Sequence, residues 1–439
     1  MKFYNREKEL KRLDEIRKRS ADHAQFTVVT GRRRIGKTQL LLRINNDEPL
    51  LYFFVARKAE SFLCQDFQQE IVSKLKIPVL GEITNFGKLF EYLMQLSEHR
   101  TFTLIIDEFQ EFNRVAPSVY SEIQHHWDAY KDKSKINLIV SGSVHSLIYR
   151  IFESEKEPLF GRATSYMHVK PFEVTVLKEV LADHNPNFTP EDLLALYSFT
   201  GGVAKYVQLF MDSNSTTYRQ MLHFIVQEDS IFLNEGKNLL VEEFGTEYSI
   251  YFTILSAIAR GENTRSKIEA TVNREIGGYL TKLERDYGLI TKNLPIFSKV
   301  ETKNVRYSLD DNFLSFWFRF IYKYGYILEV GNYDGLRMII DRDYKTFSGK
   351  MLEKYFRTKI IQTQDITQIG GNWDRKGENE IDLVVINELN KQAQIIEVKR
   401  NVDKIDLDSL KNKGSQFLKV TGMLKDYQIS YKGLSLDDC

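Results

Sequence analysis

The stretch that decides the fold is residues 26–43, FTVVTGRRRIGKTQLLLR. A β-branched run, Phe26 to Thr30, leads into a glycine loop and then into an apolar, helix-forming segment. Gly31, Arg32, Arg33, Arg34, Ile35, Gly36, Lys37 and Thr38 match the pattern GxxxxGK followed by Ser or Thr in full. Each residue type has a physical task there. Gly31 and Gly36 let the loop wrap so that backbone N–H groups face phosphate oxygens. The helix that opens at Lys37 and Thr38, with Gln39 in its first turn, adds its positive end. Lys37 reaches the β- and γ-phosphates, and Thr38 offers a hydroxyl to Mg²⁺. ATP carrying Mg²⁺ is the expected ligand. The strand–loop–helix context separates this reading from an ordinary glycine- and lysine-rich turn.

Such a loop needs an acid at the end of a neighbouring strand. Thr103-Leu-Ile-Ile-Asp107-Glu108 supplies one. Asp107 is expected in the Mg²⁺ shell, and Glu108 is the candidate catalytic group that polarises the attacking water. Ile139-Val-Ser-Gly-Ser143 puts Ser141 and Ser143 at the tip of the next strand, where they sense the γ-phosphate or simply make a turn. Arg162 is a candidate charge-stabilising arginine, with a surface role as the plainer alternative.

Outward from this centre, residues 1–210 alternate β-rich runs with helical-length segments. Leu50 to Val55, Phe102 to Ile106 and Ile136 to Val140 join Phe26 to Thr30, and Ser165 to Val169 is a fifth candidate. Apolar runs of this kind predict a parallel sheet covered on both faces. From Thr189 to Gln227 the apolar spacing becomes helical, with a break at Gly201-Gly202. Residues 243–311 read as three helices followed by two β-like runs, the winged-helix order. TKLERDYGLI takes the recognition-helix position there. Lys282 and Arg285, with Arg274 and Lys292 nearby, are its basic residues, diluted by Glu284 and Asp286. The aromatic run FLSFWFRFIYKYGY is read as a buried helix in preference to a base-stacking surface.

The C-terminal part returns to α/β. Asp382 opens one strand, and Glu397 and Lys399 lie two apart on the next, so they share a face. Two carboxylates there bind Mg²⁺ through oxygen, and Lys399 orients a nucleophile or neutralises phosphate charge. Glu353, on a preceding helix, completes the shell. The pattern alone is loose, since Glu301-Thr-Lys303 also fits E-x-K. The order helix Glu, strand Asp, strand Glu-x-Lys is what gives it weight. Gln416, on a following helix, is a further candidate near the site.

Composition narrows the partners. Lys plus Arg number 61 and Asp plus Glu 60, a net charge of +1, which excludes a grossly basic nucleic-acid coat protein. Two cysteines, Cys64 and Cys439, form neither a disulfide framework nor a Cys-based zinc site. The first residues carry no apolar signal stretch, and the most aromatic segment is interrupted by Arg319 and Lys323, so a cytoplasmic protein without membrane partners is expected.

GRRRIGKT, LIIDEFQ, VSGS, PLFGR and YNREKEL together resemble the archaeal-type ATPase family, a STAND-like branch of the AAA+ P-loop proteins. The resemblance covers about residues 1–230. It implies an ASCE/AAA+ parallel-sheet core, with Asn5, Arg6 and Glu7 near the adenine, and a helical lid opening at Gly201 to Lys205. Relatives usually carry Pro at the position of Ala204. The tail, about residues 347–420, resembles the PD-(D/E)XK nuclease fold that often ends such chains, with Glu380-Ile381 where the motif's Pro stands. The expected α/β architecture is therefore an ATPase core (1–185), a helical lid (186–240), a winged-helix domain (241–330) and a restriction-endonuclease-like domain (331–439). The implied function is ATP hydrolysis coupled to a metal-dependent nuclease-like domain acting on DNA rather than RNA, with either a homo-oligomer or nucleotide-dependent self-association as the expected assembly. The alternative is a nucleotide-switched DNA- or protein-binding regulator that does not cut.

Overall fold

The computed structural model describes residues 1–439 apart from 45–47, 79–80, 143–144, 300, 375–376 and 378. The chain forms two compact units. One is Asn5–Lys170; the other joins Met1–Tyr4 to Pro171–Cys439.

In the first unit the β-branched runs become strands β1 (Gln25–Thr30), β2 (Leu50–Phe54), β3 (Phe102–Asp107), β4 (Ile136–Ser141) and β5 (Ser165–His168). Among the described residues they form one five-stranded, all-parallel sheet in the order β2-β3-β4-β1-β5. Helix α1 (Glu7–Arg19) precedes β1, and α2 (Lys37–Leu41) follows the glycine loop. α3 (Glu60–Leu75) and α4 (Phe86–Leu96) link β2 to β3; α5 (Phe112–Val115) and α6 (Val119–Tyr130) link β3 to β4; α7 (His145–Glu153) leads to β5. Helices on both faces explain why β3 and β4 are buried along their whole length. Aromatic rings fill the core: Phe53 stacks on Phe67 at 4.2 Å, and Trp127 meets Phe26 edge-on at 5.1 Å. The strand order places β4 between β1 and β3. The carboxyl ends of these three strands, where such sheets bind ligands, therefore lie side by side. The helix-forming run after the loop, Gln39 to Ile44, is helical only as far as Leu41; Leu40, Leu41 and Ile44 are buried, and Leu42 faces outward.

The second unit begins with five helices, α8 (Val174–His184), α9 (Pro190–Thr200), α10 (Ala204–Asp212), α11 (Tyr218–Ile225) and α12 (Ile231–Phe244). Thr189 and Asp192 form a capping box at the start of α9, with Pro190 in the first turn. Gly201 ends that helix at φ 57°. At Gly202, φ 79°, a Cβ would fall 2.5 Å from the Phe172 carbonyl, so the expected helix break requires glycine. Next come α13 (Tyr248–Ala259), α14 (Arg265–Val272) and α15 (Gly277–Arg285), followed by the antiparallel pair β6 (Ile290–Asn293) and β7 (Arg306–Leu309). The aromatic run becomes α16 (Asn312–Phe316), a π-helical stretch Trp317–Tyr322 and α17 (Gly325–Glu329). Phe313, Phe316, Trp317, Phe318 and Phe320 are buried, and the Trp317 indole donates to the Leu233 carbonyl at 3.0 Å. These rings build an interior, as expected of the run's first half, whereas Tyr322 and Tyr326 in its second half are exposed.

Helix α18 (Tyr333–Thr363) leads into β8 (Gln368–Asn372), β9 (Ile381–Asn387), β10 (Gln392–Val398), α19 (Leu407–Thr421) and β11 (Gln428–Leu434). The strands form a sheet in the order β11-β10-β9-β8. β8–β9 and β9–β10 are antiparallel; β10 and β11 are parallel, which requires the α19 crossover.

The loop between β6 and β7 is built into the edge of this sheet. Ile296 is buried among Ile381, Val384, Ile395 and Phe417, and its amide donates to the Gly371 carbonyl at 2.8 Å. Phe297 stacks on Phe417. The Asn304 side chain donates to the Trp373 carbonyl at 2.9 Å, while the Trp373 indole donates back to Asn304 at 3.1 Å. Arg306 lies over the Trp373 ring and pairs with Glu380. An edge strand left bare would template association with another chain; this loop covers it.

Candidate functional site

Gly31 adopts φ 145° and Gly36 φ 94°. A Cβ at Gly31 would lie 2.6 Å from the Val169 carbonyl, so the first glycine lets the loop pass close to the chain leaving β5. Arg34 takes φ 68°, a conformation that costs a non-glycine residue about 1–3 kcal/mol and clusters at functional sites. Lys37 is buried, its ammonium donating to the carbonyls of Gly31 at 2.8 Å and Arg32 at 3.1 Å. Burial pulls its pKa down to about 8, against the opposing pull of Glu108 and Asp107. Gln39 is exposed one residue beyond Thr38. Arg6 is buried and donates to the Lys170 carbonyl at 2.9 Å and the Ile35 carbonyl at 3.5 Å, tying α1 to the loop.

Asp107, a residue only 3% exposed, ends β3. Thr38 Oγ1 donates to its Oδ2 at 2.8 Å. This bond commits the threonine proton to Asp107 and leaves the hydroxyl lone pairs for another partner. Ser141, at the end of β4, bonds Oδ1, as does the Glu108 amide at 3.0 Å. The fourth donor is the Tyr52 hydroxyl, 2.7 Å from Oδ2. Sequence reasoning missed Tyr52. The available signal was a polar ring inside the apolar run LLYFFV, two residues before Phe54, the register partner of Asp107. Glu108 sits at φ 55° and is bonded by Gln110. Arg57 holds Glu111 through two bonds of 2.8 and 3.1 Å, another unanticipated pair. Ser143 lies outside the described residues. Arg162 pairs with Asp128 at 3.0 Å.

The second cluster lies on β9, β10 and α18. Lys399 Nζ is 3.6 Å from Asp382 Oδ2 and 3.3 Å from Glu397 Oε1. Burial pulls Lys399 down, but Asp382 and Glu397 together hold it above its ordinary value. The Val398 amide donates to Asp382 at 2.7 Å, and the Asp406 amide to Glu397 at 3.0 Å. Burial raises Asp382. Burial, aided by Asp382 and Glu380, pushes Glu353 up to about 8, so Glu353 belongs to the same electrostatic neighbourhood. Among the described residues, no group of three or more His, Cys, Asp or Glu side chains is arranged to hold a metal ion. The second E-x-K, Glu301 to Lys303, lies off any strand, and Gln416 is exposed on α19. On α15, Lys282 and Arg285 are exposed, as is Arg274 before it; Lys282 is 4.0 Å from Glu247. Among the described residues no helix is long and apolar enough to cross a membrane.

Comparison with known proteins agrees with this geometry. Residues 3–210 match the model of an ATPase domain predominantly from Archaea, and residues 317–410 match a family of archaeal and bacterial proteins of unknown function. An uncharacterised protein of Methanocaldococcus jannaschii is 30% identical over 92% of this chain and 90% of its own length. Among solved structures, a Walker-type ATPase of Pyrococcus abyssi is similar with a TM-score of 0.55 and 21% identity, over 72% of this chain and 96% of that one. The ORC2 protein of Aeropyrum pernix, solved in ADPNP and ADP complexes, has a TM-score of 0.50 and 13% identity, over 77% and 95%. With the ATPase domain matched and a relative aligned almost end to end, the chain belongs to this predominantly archaeal family of P-loop ATPases.

Proposed function

We propose that the protein is an ATP-hydrolysing switch whose nucleotide state governs a metal-dependent, nuclease-like domain acting on DNA. The observation that carries the first half is the meeting of Lys37, Thr38, Asp107 and Glu108 at adjoining strand ends. Gly31 through Gln39 wrap the phosphates, the backbone amides of the loop supplying most of the hydrogen bonds. Arg6 braces the loop on the adenine side. Lys37 leaves the loop carbonyls for the β- and γ-phosphates. The lone pairs of Thr38 and the carboxylate of Asp107 form a hard-oxygen set that suits Mg²⁺. When bound, Mg²⁺ neutralises charge on the phosphates. Glu108, held at a strained backbone position, polarises the water that attacks the γ-phosphorus. The nucleotides named in the Aeropyrum pernix structure support this assignment. ATP hydrolysis by wild type, Lys37→Ala and Glu108→Gln tests it. Equal rates in all three contradict the reading.

For the second half, Asp382 and Glu397 are the proposed metal ligands, and Lys399 orients the nucleophile or neutralises phosphate charge; Glu353, which forms no three-acid metal group with them in this structure, is a neighbour of the pair that would have to move to complete the shell. The bound metal supplies a lowered water pKa. The order of α18, β9 and β10, with the acids at adjoining strand positions, supports an intact nuclease-like core at residues 331–439. Three helices and a hairpin support a winged helix at 241–330, with α15 as the DNA-facing element. The core at 1–185 and the lid at 186–240 complete the division. Plasmid incubated with Mg²⁺ or Mn²⁺, with and without ATP, should be cut by wild type and spared by Asp382→Ala. A second reading is a non-cutting, nucleotide-switched regulator. It is favoured by the position of Lys399, whose ammonium compensates both carboxylates as an internal counter-ion. Plasmid left intact under every nucleotide and metal condition decides for it. Light scattering with ATP and ADP tests nucleotide-dependent self-association.

A further inference from the structure

The carboxylate of Asp107 is saturated. A carboxylate offers about four acceptor positions. Here Thr38 and Tyr52 donate to Oδ2, and Ser141 and the Glu108 amide to Oδ1. Any further donor, including the hydration shell of a nucleotide-borne cation, must take a position that the protein now fills. The four donors differ in how readily they yield. The Glu108 amide is fixed by the backbone. Ser141 is fully buried at the end of a central strand. Thr38 follows Lys37 in the first turn of α2 and belongs to the phosphate site itself. Tyr52 differs from all three: it is half-buried, it stands on the edge strand β2, and it reaches Asp107 with the tip of a long side chain.

We propose that Tyr52 is a releasable donor, whose hydroxyl holds Asp107 and gives up its place when a cation-bearing nucleotide binds. The proposal rests on the nucleotide-site reading above and adds a residue and a regulation to it. Release carries the nucleotide state to the edge of the sheet. Tyr52 is two residues from Phe54, which is half-exposed, and five from Arg57, which grips Glu111. A tyrosine that lets go of Asp107 is free to turn toward solvent, beside the turn that leads into α3.

The test uses the full chain and an unhydrolysable ATP analogue, titrated by calorimetry in EDTA and in Mg²⁺. The quantity read is the gain in affinity that Mg²⁺ provides. In Tyr52→Phe, the affinity in EDTA should match wild type within about twofold, while the gain from Mg²⁺ should grow several-fold, because no donor has to be displaced. In Ser141→Ala, which opens a position on Oδ1, away from the oxygen that Thr38 and Tyr52 share, the gain should rise less than in Tyr52→Phe; an equal rise overturns the separate role of Tyr52. A gain in Tyr52→Phe that is equal to or smaller than wild type overturns the proposal. Asp107→Asn separates the two levels of inference. If it leaves the Mg²⁺ gain untouched, the nucleotide-site reading itself fails. If it removes the gain while Tyr52→Phe does not raise it, only the role of Tyr52 fails.

Discussion

Lys37 is the residue at which protonation and binding meet. Its ammonium must be charged to face phosphate, yet burial brings its pKa to about 8. A triphosphate placed against it restores the charged form, so binding takes up a proton once the free protein has begun to lose it. The analogue's Kd should therefore be flat below pH 8 and weaken about tenfold per unit above it. In Lys37→Ala that slope should vanish along with most of the affinity; a wild-type Kd level from pH 7 to 9.5 contradicts the assignment. Glu108→Gln should bind ATP normally and hydrolyse it at least about 100-fold more slowly. Comparable loss of binding would show a structural role instead. Glu353 gives the opposite kind of pH effect. Its folded pKa, about 8, lies above its unfolded value. The stability it contributes is full below about pH 4.5 and is lost as pH rises through 8. Glu353→Gln, which stays neutral, should gain melting temperature relative to wild type between pH 5 and pH 8. A constant difference over that range contradicts the raised pKa.

At the scale of elements, the β6–β7 loop is committed to packing: Ile296, Phe297, Asn304 and Arg306 dock it on β8 and the C-terminal core. Ile296→Ala should cost about 2–4 kcal/mol in urea unfolding, as for other buried large-to-small changes. An effect below about 0.5 kcal/mol would mean that the loop is not bound there. The strands of the first unit were legible because parallel strands buried on both faces are uniformly apolar, and the glycine loop because phosphate binding needs fixed residue types at fixed spacing. The acids of β9 and β10 were legible through alternation along a strand. Tyr52, the Arg57–Glu111 pair and the docked loop were not. Each depends on residues far apart in sequence meeting in space, and single polar or apolar residues carry no periodic signal. The end of α2 at Leu41 was not legible, because the apolar run continues to Ile44, which is buried as it would be in a longer helix.

For the molecule as a whole, the proposed switch needs ties between the tail and its neighbours. Inside the second unit one connection is explicit. Arg400, next to Lys399, pairs with Glu191 on α9 and donates to Ser348 on α18 at 2.6 Å. It thereby links the turn after β10 to α9 and α18. A double-mutant cycle of Arg400→Gln and Glu191→Gln should show coupling of about 0.5–3 kcal/mol in unfolding experiments, and additive effects would dismiss the link. Every role proposed for Lys37, Thr38, Asp107 and Glu108 requires bound nucleotide. Calorimetry of the purified full chain with ATP and Mg²⁺ is the direct measurement. One site per chain, lost in Lys37→Ala, is the predicted result; no heat of binding in the wild type, or an isotherm unchanged by Lys37→Ala, contradicts it.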